Sequence, residues 1–306
     1  MRVQDAQKYK CITFISVNGA IAIGRPFSVK GKFRRSTSKT SSDGDDNHGS
    51  SWKTGLRPKV PTNVSFRQEI GRRWLQQAEG EHASVASFAR HTIQLMAIGA
   101  PSGLLAASQE ASLDEIRHAQ ICYSLASLLL GSDFAPGPLD IEGSLDRIDL
   151  KEIIQSTIQE GCIEETISAV EAHLGAHTAQ DPDLKAALTQ IAIDETRHAQ
   201  LAWDTIQWAI QRFPEIQPFV KETFRIELEI RYLALQKYLS AKLITLNEED
   251  NKAKLIRSYG LVVIKDRNMI RQFTMQEIIT PVYITEWKDV SIISKRISEL
   301  EFGFLQ

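Results

Sequence analysis

The chain carries nearly the same heptapeptide twice, DEIRHAQ at 114–120 and DETRHAQ at 194–200. Each sets Glu-x-x-His inside a run of helical periodicity. On a helix, residues three apart share a face, so Glu115 and His118 project together, as do Glu195 and His198. A hard carboxylate beside an imidazole is half of a transition-metal site. Two such halves, each completed by a carboxylate from a neighbouring helix, describe a two-metal site inside a four-helix bundle.

The surrounding pattern supplies the helices. A 3.6-residue period begins near Ser65, and Ile70, Trp74, Leu75, Val85, Phe88 and Leu95 place a first helix over 67–98. Gly99 closes it, and Pro101 suits the first turn of a second helix that runs to Leu130 and stops at Gly131. A third starts near Asp149, where Asp-Leu-Lys-Glu forms a capping box, and runs to about residue 179. Asp181-Pro182 opens a fourth that ends before Pro214. The first and third connections are a few residues long, whereas about 18 residues separate the second helix from the third. Two hairpins linked by one long crossover are the ferritin-like arrangement, so the chain is expected to be all-α. Beyond Pro214 we expect a fifth amphipathic helix, a polar turn or short helix, and one more helix broken at Pro281.

The hairpins also align with each other. Tyr123 falls on Trp203, and upstream EHASV at 81–85 falls on EETIS at 165–169 as Glu-x-x-Ser, pairing Glu81 with Glu165 and Ser84 with Ser168. The alignment nominates Glu81 and Glu165 as the missing carboxylates. Side chains in a helical hairpin meet when they lie equally far from its turn. Glu165 and Glu195 both lie roughly 20 Å from theirs, and Glu81 and Glu115 differ by roughly 4–5 Å. Glu160 would miss by about 9 Å, and Glu164 points about 100° away from Glu165. Core packing is the expected role of Tyr123 and Trp203, and Cys162 reads as a small buried residue. His82, His91, His173 and His177 have no repeat mate and read as structural or exposed; His48 falls in the linker.

Residues 1–60 hold 12 Lys/Arg against four Asp/Glu, whereas the remainder holds 24 against 34. Without aromatic interleaving this basic stretch does not read as a nucleic-acid binder. It reads as a mostly disordered leader and linker over 1–64, with SSDGDDNHGSS at 41–51 the most linker-like part. Cys11, Cys122 and Cys162 form no Cys-x-x-Cys, which excludes a rubredoxin-type iron site, a zinc ribbon or a disulfide framework. Residues 11–24 loosely resemble a signal peptide but lack a clear cleavage site, so the expected location is cytoplasmic. No apolar run reaches the roughly 18 residues that span a bilayer.

Together Glu81, Glu115-x-x-His118, Glu165 and Glu195-x-x-His198 resemble the ferritin-like di-iron carboxylate superfamily over residues 67–212. The Asp-Glu-x-Arg-His form is similar to that of bacterial multicomponent monooxygenase hydroxylases. GRPFSVKG at 24–31 and EHASVASFAR at 81–90 look still more like a group of uncharacterised bacterial ferritin-like domain proteins. That group usually reads Gly-Cys-Val-Gly-Glu-Thr where this chain has Gly161-Cys162-Ile163-Glu164-Glu165-Thr166, so Glu165 matches and Glu164 departs. The resemblance implies that Glu115 and Glu195 bridge or chelate two metals, that Glu81 and Glu165 are terminal carboxylates, and that His118 and His198 bind one metal each. By carry-over from the monooxygenases, Asp114 supports His198 and Asp194 supports His118. Arg117 and Arg197 either hold those aspartates or pair elsewhere on the surface. Mixed N/O ligation suits two iron ions, or a manganese–iron pair, reacting with dioxygen. The expected function is then an O2-dependent oxidase or oxygenase on a small organic substrate, fed by an external electron donor. The alternatives are ferroxidase or iron handling, and a metal-free helical interaction module. The expected organisation is the leader over 1–64, the di-metal bundle over 65–213, and a helical extension packed on it over 214–306.

Overall fold

The computed structural model describes residues 24–40, 51–146, 148–242, 250–300 and 302. Among these the protein is predominantly helical. Helix α1 (Val64–Ala97) starts at Asn63, whose side chain accepts from the Phe66 N–H. Gly99, at φ +71°, turns the chain into α2 (Ser102–Leu130), which ends on left-handed Gly131. The crossover comes next. Its strand β4 (Phe134–Pro136) pairs antiparallel with β3 (Ser38–Thr40), while β1 (Ser28–Val29) pairs with β2 (Lys32–Phe33). Asp149 caps α3 (Leu150–Ser156), which continues as a π-helix (Thr157–Glu165) and then as α4 (Thr166–Thr178). Asp181 accepts from the Asp183 and Leu184 N–H groups to open α5 (Pro182–Arg212).

Helix α1 packs on α2, the π-helix and α4 pack on α5, and α2 touches α5 across the two hairpins. The reason is apolar stripes with few alternatives. Ile70, Trp74, Tyr123, Leu125, Leu188 and Ile191 share one core. Ile163, Val170, Trp203 and Ile206 share a second with Val220 and Phe224 of α6 (Gln217–Lys242). Trp203 stacks on Phe224 at 5.3 Å and donates its indole N–H to Thr166 Oγ1 at 3.1 Å. Tyr123, Trp203 and Cys162 are all buried, so they serve the interior.

The C-terminal region covers that second core. A 3₁₀ turn (Pro214–Ile216) leads into α6, and α7 (Asp250–Ser258) and α8 (Ile264–Phe273) lie beyond it. A second π-helix (Thr274–Ile279), α9 (Thr280–Ile284) and α10 (Ile292–Ser298) complete it. At the expected break, Pro281, the chain stays helical: the residue falls just after the π-helix passes into α9, and the Glu277 carbonyl four residues before it accepts from Arg296 Nη1 instead.

Two expectations need correction. Residues 24–40 and 51–63 are not a loose linker. Phe27 and Val29 are buried with Ala83, the Thr54 N–H donates to Ser124 Oγ at 2.6 Å, and the Trp52 ring stands edge-on to Tyr123. Residues 24–29 are buried in unbroken succession, so neither a period of two nor one of 3.6 betrays the segment. The third helix is not α throughout either. Its π-helical segment takes one more residue per hydrogen-bonded turn and so re-aims the side chains beyond it. The linker-like residues 41–50, His48 and the signal-like stretch 11–23 lie outside the described residues. Among the described residues no helix is long and apolar enough to cross a membrane.

Gly161, within the π-helix, lies hard against α5. A Cβ there would lie 2.4 Å from Ala202 Cβ and cannot rotate away. Gly161→Ala should therefore lose about 1–3 kcal/mol to overpacking. Gly103→Ala, with nothing within 4 Å of its Cβ, should hold or gain stability. Urea midpoints read both, and equal midpoints for Gly161→Ala and the wild type would contradict the close approach.

Candidate metal centre

Four helical segments deliver the cluster. Glu81 comes from α1, Glu115 and His118 from α2, Glu165 from the end of the π-helix, and Glu195 and His198 from α5. Ligand atoms of Glu81, Glu115, His118 and Glu195 lie within 4.8 Å of one another, and so do those of Glu115, Glu165, Glu195 and His198. The two groups share Glu115 and Glu195, and the two imidazole rings are 5.9 Å apart. All six residues are buried.

Burying so much charge is costly unless it is paired. The other buried acids obey that rule. Glu160 binds Arg90, Glu164 binds Arg231 and Arg271, Glu171 binds Arg267, and Asp266 binds Arg257. Glu227 accepts from Gln159 and Arg231. The cluster does not obey it. Glu81 Oε2 and both oxygens of Glu115, Glu165 and Glu195 are buried without a hydrogen-bond partner, as are His118 Nδ1 and His198 Nδ1. Every unpartnered atom faces the same small volume. This is the donor set of a cation site, and these buried carboxylate and imidazole groups can hold a metal ion.

The far sides of the histidines are held. His118 Nε2 lies 3.2 Å from Asp194 Oδ2, and His198 Nε2 lies 3.2 Å from Asp114 Oδ2. Each aspartate thus serves the imidazole of the other hairpin. Arg117 pairs with Asp114, and Arg197 contacts both Asp194 and Asp114, so the arginines brace the aspartates. With Nε2–H donated outward, each ring presents Nδ1 to the carboxylates.

The charges show what the cluster lacks. Burial, then the neighbouring charges of Glu115 and Glu195, push Glu81 well above the usual carboxylate range. Burial, then Glu195 and Glu115, does the same to Glu165. Burial acts to raise Glu115 too, but His118 and His198 pull it down to about 2. Their Nδ1 atoms lie 3.7 and 3.2 Å from its oxygens. Burial opposes charge on His118, yet Asp194, Glu115 and Glu195 outweigh it and hold the imidazole well above its ordinary value. Protons do here what a bound cation would do, and a cation would displace them.

Glu164 and Glu165 are separated by their partners. Glu165 faces the cluster, whereas Glu164 points at the guanidiniums of α6 and α8. Of the unmatched histidines, His173 faces Thr196 Oγ1 at 3.0 Å, His82 faces Ser36 Oγ at 3.0 Å, and the His177 ring lies tilted against Phe302 at 5.4 Å. His91 is buried with neither ring nitrogen partnered. Sequence reasoning missed two features of the surroundings. Gly24 sits so close that a Cβ on it would lie 2.9 Å from Glu81 Oε2 and 3.3 Å from Glu115 Oε2. On the Glu81 side there is a cavity of about 10 Å³, bounded by Gln77, Glu81, Cys122, Leu188 and Gly260, with room for about one water. Both ends of the Gln77 amide are unpartnered beside it.

No family model matches the chain, and no curated protein or solved structure matches it either.

Replacing Glu115 or Glu195 by Ala should abolish tight metal binding, since each belongs to both ligand groups. Glu164→Ala should keep metal binding but lose about 1–3 kcal/mol of stability, because Arg271 loses its carboxylate partner and Arg231 is left to Glu227. Elemental analysis of dialysed protein reads the first, and urea unfolding the second. Asp114→Asn should keep the fold and weaken metal affinity about 10–100-fold, because an amide supports imidazole basicity less than a carboxylate does. Unchanged metal affinity in that variant would reject the supporting role of Asp114.

Proposed function

We propose that the chain is a ferritin-like di-iron protein, an O2-dependent oxidase or oxygenase acting on a small organic substrate. The observation that carries this reading is the sorting of buried acids. Among the described residues, every buried carboxylate outside the cluster has a partner, and the four inside it have unpartnered oxygens converging with two imidazoles. A structural role would leave such groups paired or exposed. A metal-free interaction module gives no reason to bury them.

Two iron ions, or a manganese–iron pair, held there would supply dioxygen activation and a two-electron oxidation. Glu115 and Glu195 would hold both ions, Glu81 and His118 one, and Glu165 and His198 the other. Asp114 and Asp194 fix the ring orientation and keep each imidazole basic. Phe88, edge-on to His198 at 5.0 Å, and the segment at Gly24 exclude water from the cluster. The electrons would come from an external donor.

Anaerobic loading with Fe2+ followed by Mössbauer spectroscopy tests the reading. Two irons per chain with a coupled pair after exposure to air are expected. Less than one iron per chain, or magnetically isolated ions, would sink it. Size exclusion separates the ferroxidase alternative, since an iron-storage cage is far larger than a monomer or dimer.

A further inference from the structure

The segment that precedes β1 bridges the two hairpins directly over the cluster. The Gly24 N–H donates to Ser168 Oγ at 3.1 Å, and Ser84 Oγ donates to the Arg25 carbonyl at 2.7 Å. These are the two serines that stand three residues after Glu81 and Glu165, the part of the internal repeat that metal binding leaves unused. Arg90 Nη1 adds a bond to the Ser28 carbonyl at 2.5 Å.

These bonds carry Arg25 into the interior, where it is 1% exposed. Its guanidinium lies 5.2 Å from the centre of the Phe88 ring. Neither Nε nor Nη1 has a hydrogen-bond partner. Glu160 Oε2 is 3.7 Å from Nε, beyond hydrogen-bond reach, and Arg90 Nη2 takes that oxygen at 2.6 Å. His91, three residues beyond Phe88 on the same face of α1, is fully buried with both ring nitrogens unpartnered. Burial, with Arg25 and Arg90 nearby, holds His91 well below its ordinary range, so it remains a neutral donor. Two guanidiniums, Arg25 and Arg90, against one carboxylate, Glu160, leave a single positive charge without a counterpart. The next acid, Glu165, belongs to the cluster.

We propose that Arg25 and His91 form an anion subsite beside the cluster that takes the carboxylate of a small organic acid. This rests on the metal-centre reading and names the substrate class of that centre. A single surplus charge suits a monoanion rather than a phosphate, and guanidinium N–H groups match the planar oxygens of a carboxylate. Unpartnered buried donors are the mark of a missing partner.

The test uses acetate, with acetamide as its uncharged counterpart of the same shape, titrated into the full chain by calorimetry. Acetate should bind the wild type and acetamide should not. Arg25→Gln should weaken acetate at least tenfold, and His91→Phe, which keeps the ring volume and the fold, several-fold. Arg25→Lys should restore part of the loss. Equal binding of acetate and acetamide, or acetate affinity unchanged in both Arg25→Gln and His91→Phe, would overturn the proposal, since acetate would then be sitting on the metals or nowhere specific. Metal content is measured on the same samples and should stay at two ions per chain in every variant. Loss of metal from the wild type would refute the metal centre alone. Arg25-dependent acetate binding in that metal-free protein would leave the anion subsite standing.

Discussion

Four carboxylates brought within a few ångströms, out of reach of water, repel one another strongly enough to unfold the site that holds them. Each is desolvated, and each sees the others through a medium that screens poorly. The arrangement persists only if positive charge enters the volume. Protonation supplies some of it, which is why Glu81, Glu165 and His118 are all displaced towards their protonated forms. A cation supplies it more completely and uses the unpartnered lone pairs as well. This demand shapes the rest of the structure: long helices that can carry ligands at matched heights, aspartates that brace the imidazoles, and a cover that keeps solvent out.

The third helix shows how the demand is isolated from ordinary charge pairing. It carries Glu160, Glu164, Glu165 and Glu171, all buried. Three find arginines: Arg90 of α1, Arg231 of α6 with Arg271 of α8, and Arg267 of α8. Only Glu165 is left to the cluster. The C-terminal helices therefore do more than cover an apolar face. Their guanidiniums neutralise the neighbours of Glu165, so that one carboxylate of the helix, and not several, faces inward. The π-helix ends on that residue, which places the change of helical register where the selection is made.

How far the sequence discloses this depends on whether a feature is periodic. The duplicated heptapeptide, the loop lengths and the helical stripes repeat at fixed spacing, so the helix order, the four-helix origin of the cluster and the preference for Glu165 over Glu164 can all be read from it. The cross-pairing of Asp114 and Asp194 could be carried over from a resemblance, but spacing alone does not reveal it. The segment from Gly24 to Val29 could not be read. Its residues are buried in unbroken succession, so they show neither strand alternation nor a helical stripe, and the polar residues that follow read as a linker. Its clue was present in the Glu-x-x-Ser repeat, but a serine beside a ligand looks like a helix-face residue until the chain that it grips is in view. The π-helix was equally hidden, since one extra residue per turn over nine residues barely disturbs an apolar stripe.

The internal repeat makes the six cluster residues equivalent in pairs but leaves their surroundings unequal. Four residues before Glu81 stands Gln77, and four before Glu165 stands Gly161. On the first side the amide borders a cavity of about 10 Å³ that also touches Glu81. On the second, Gly161 closes against Ala202, with Arg25 Nη1 3.9 Å from where its Cβ would lie. A neutral amide with room beside it and a buried cation impose different fields on the two ends of the cluster. Two identical cations held there would not be held identically. The one nearer Glu165 would be opposed by Arg25 until an anion neutralised that charge, whereas the one nearer Glu81 would meet no such opposition. Duplication therefore accounts for a symmetric set of ligands, and the segment at Gly24, which has no counterpart in the other half, breaks the symmetry by bringing charge to one side.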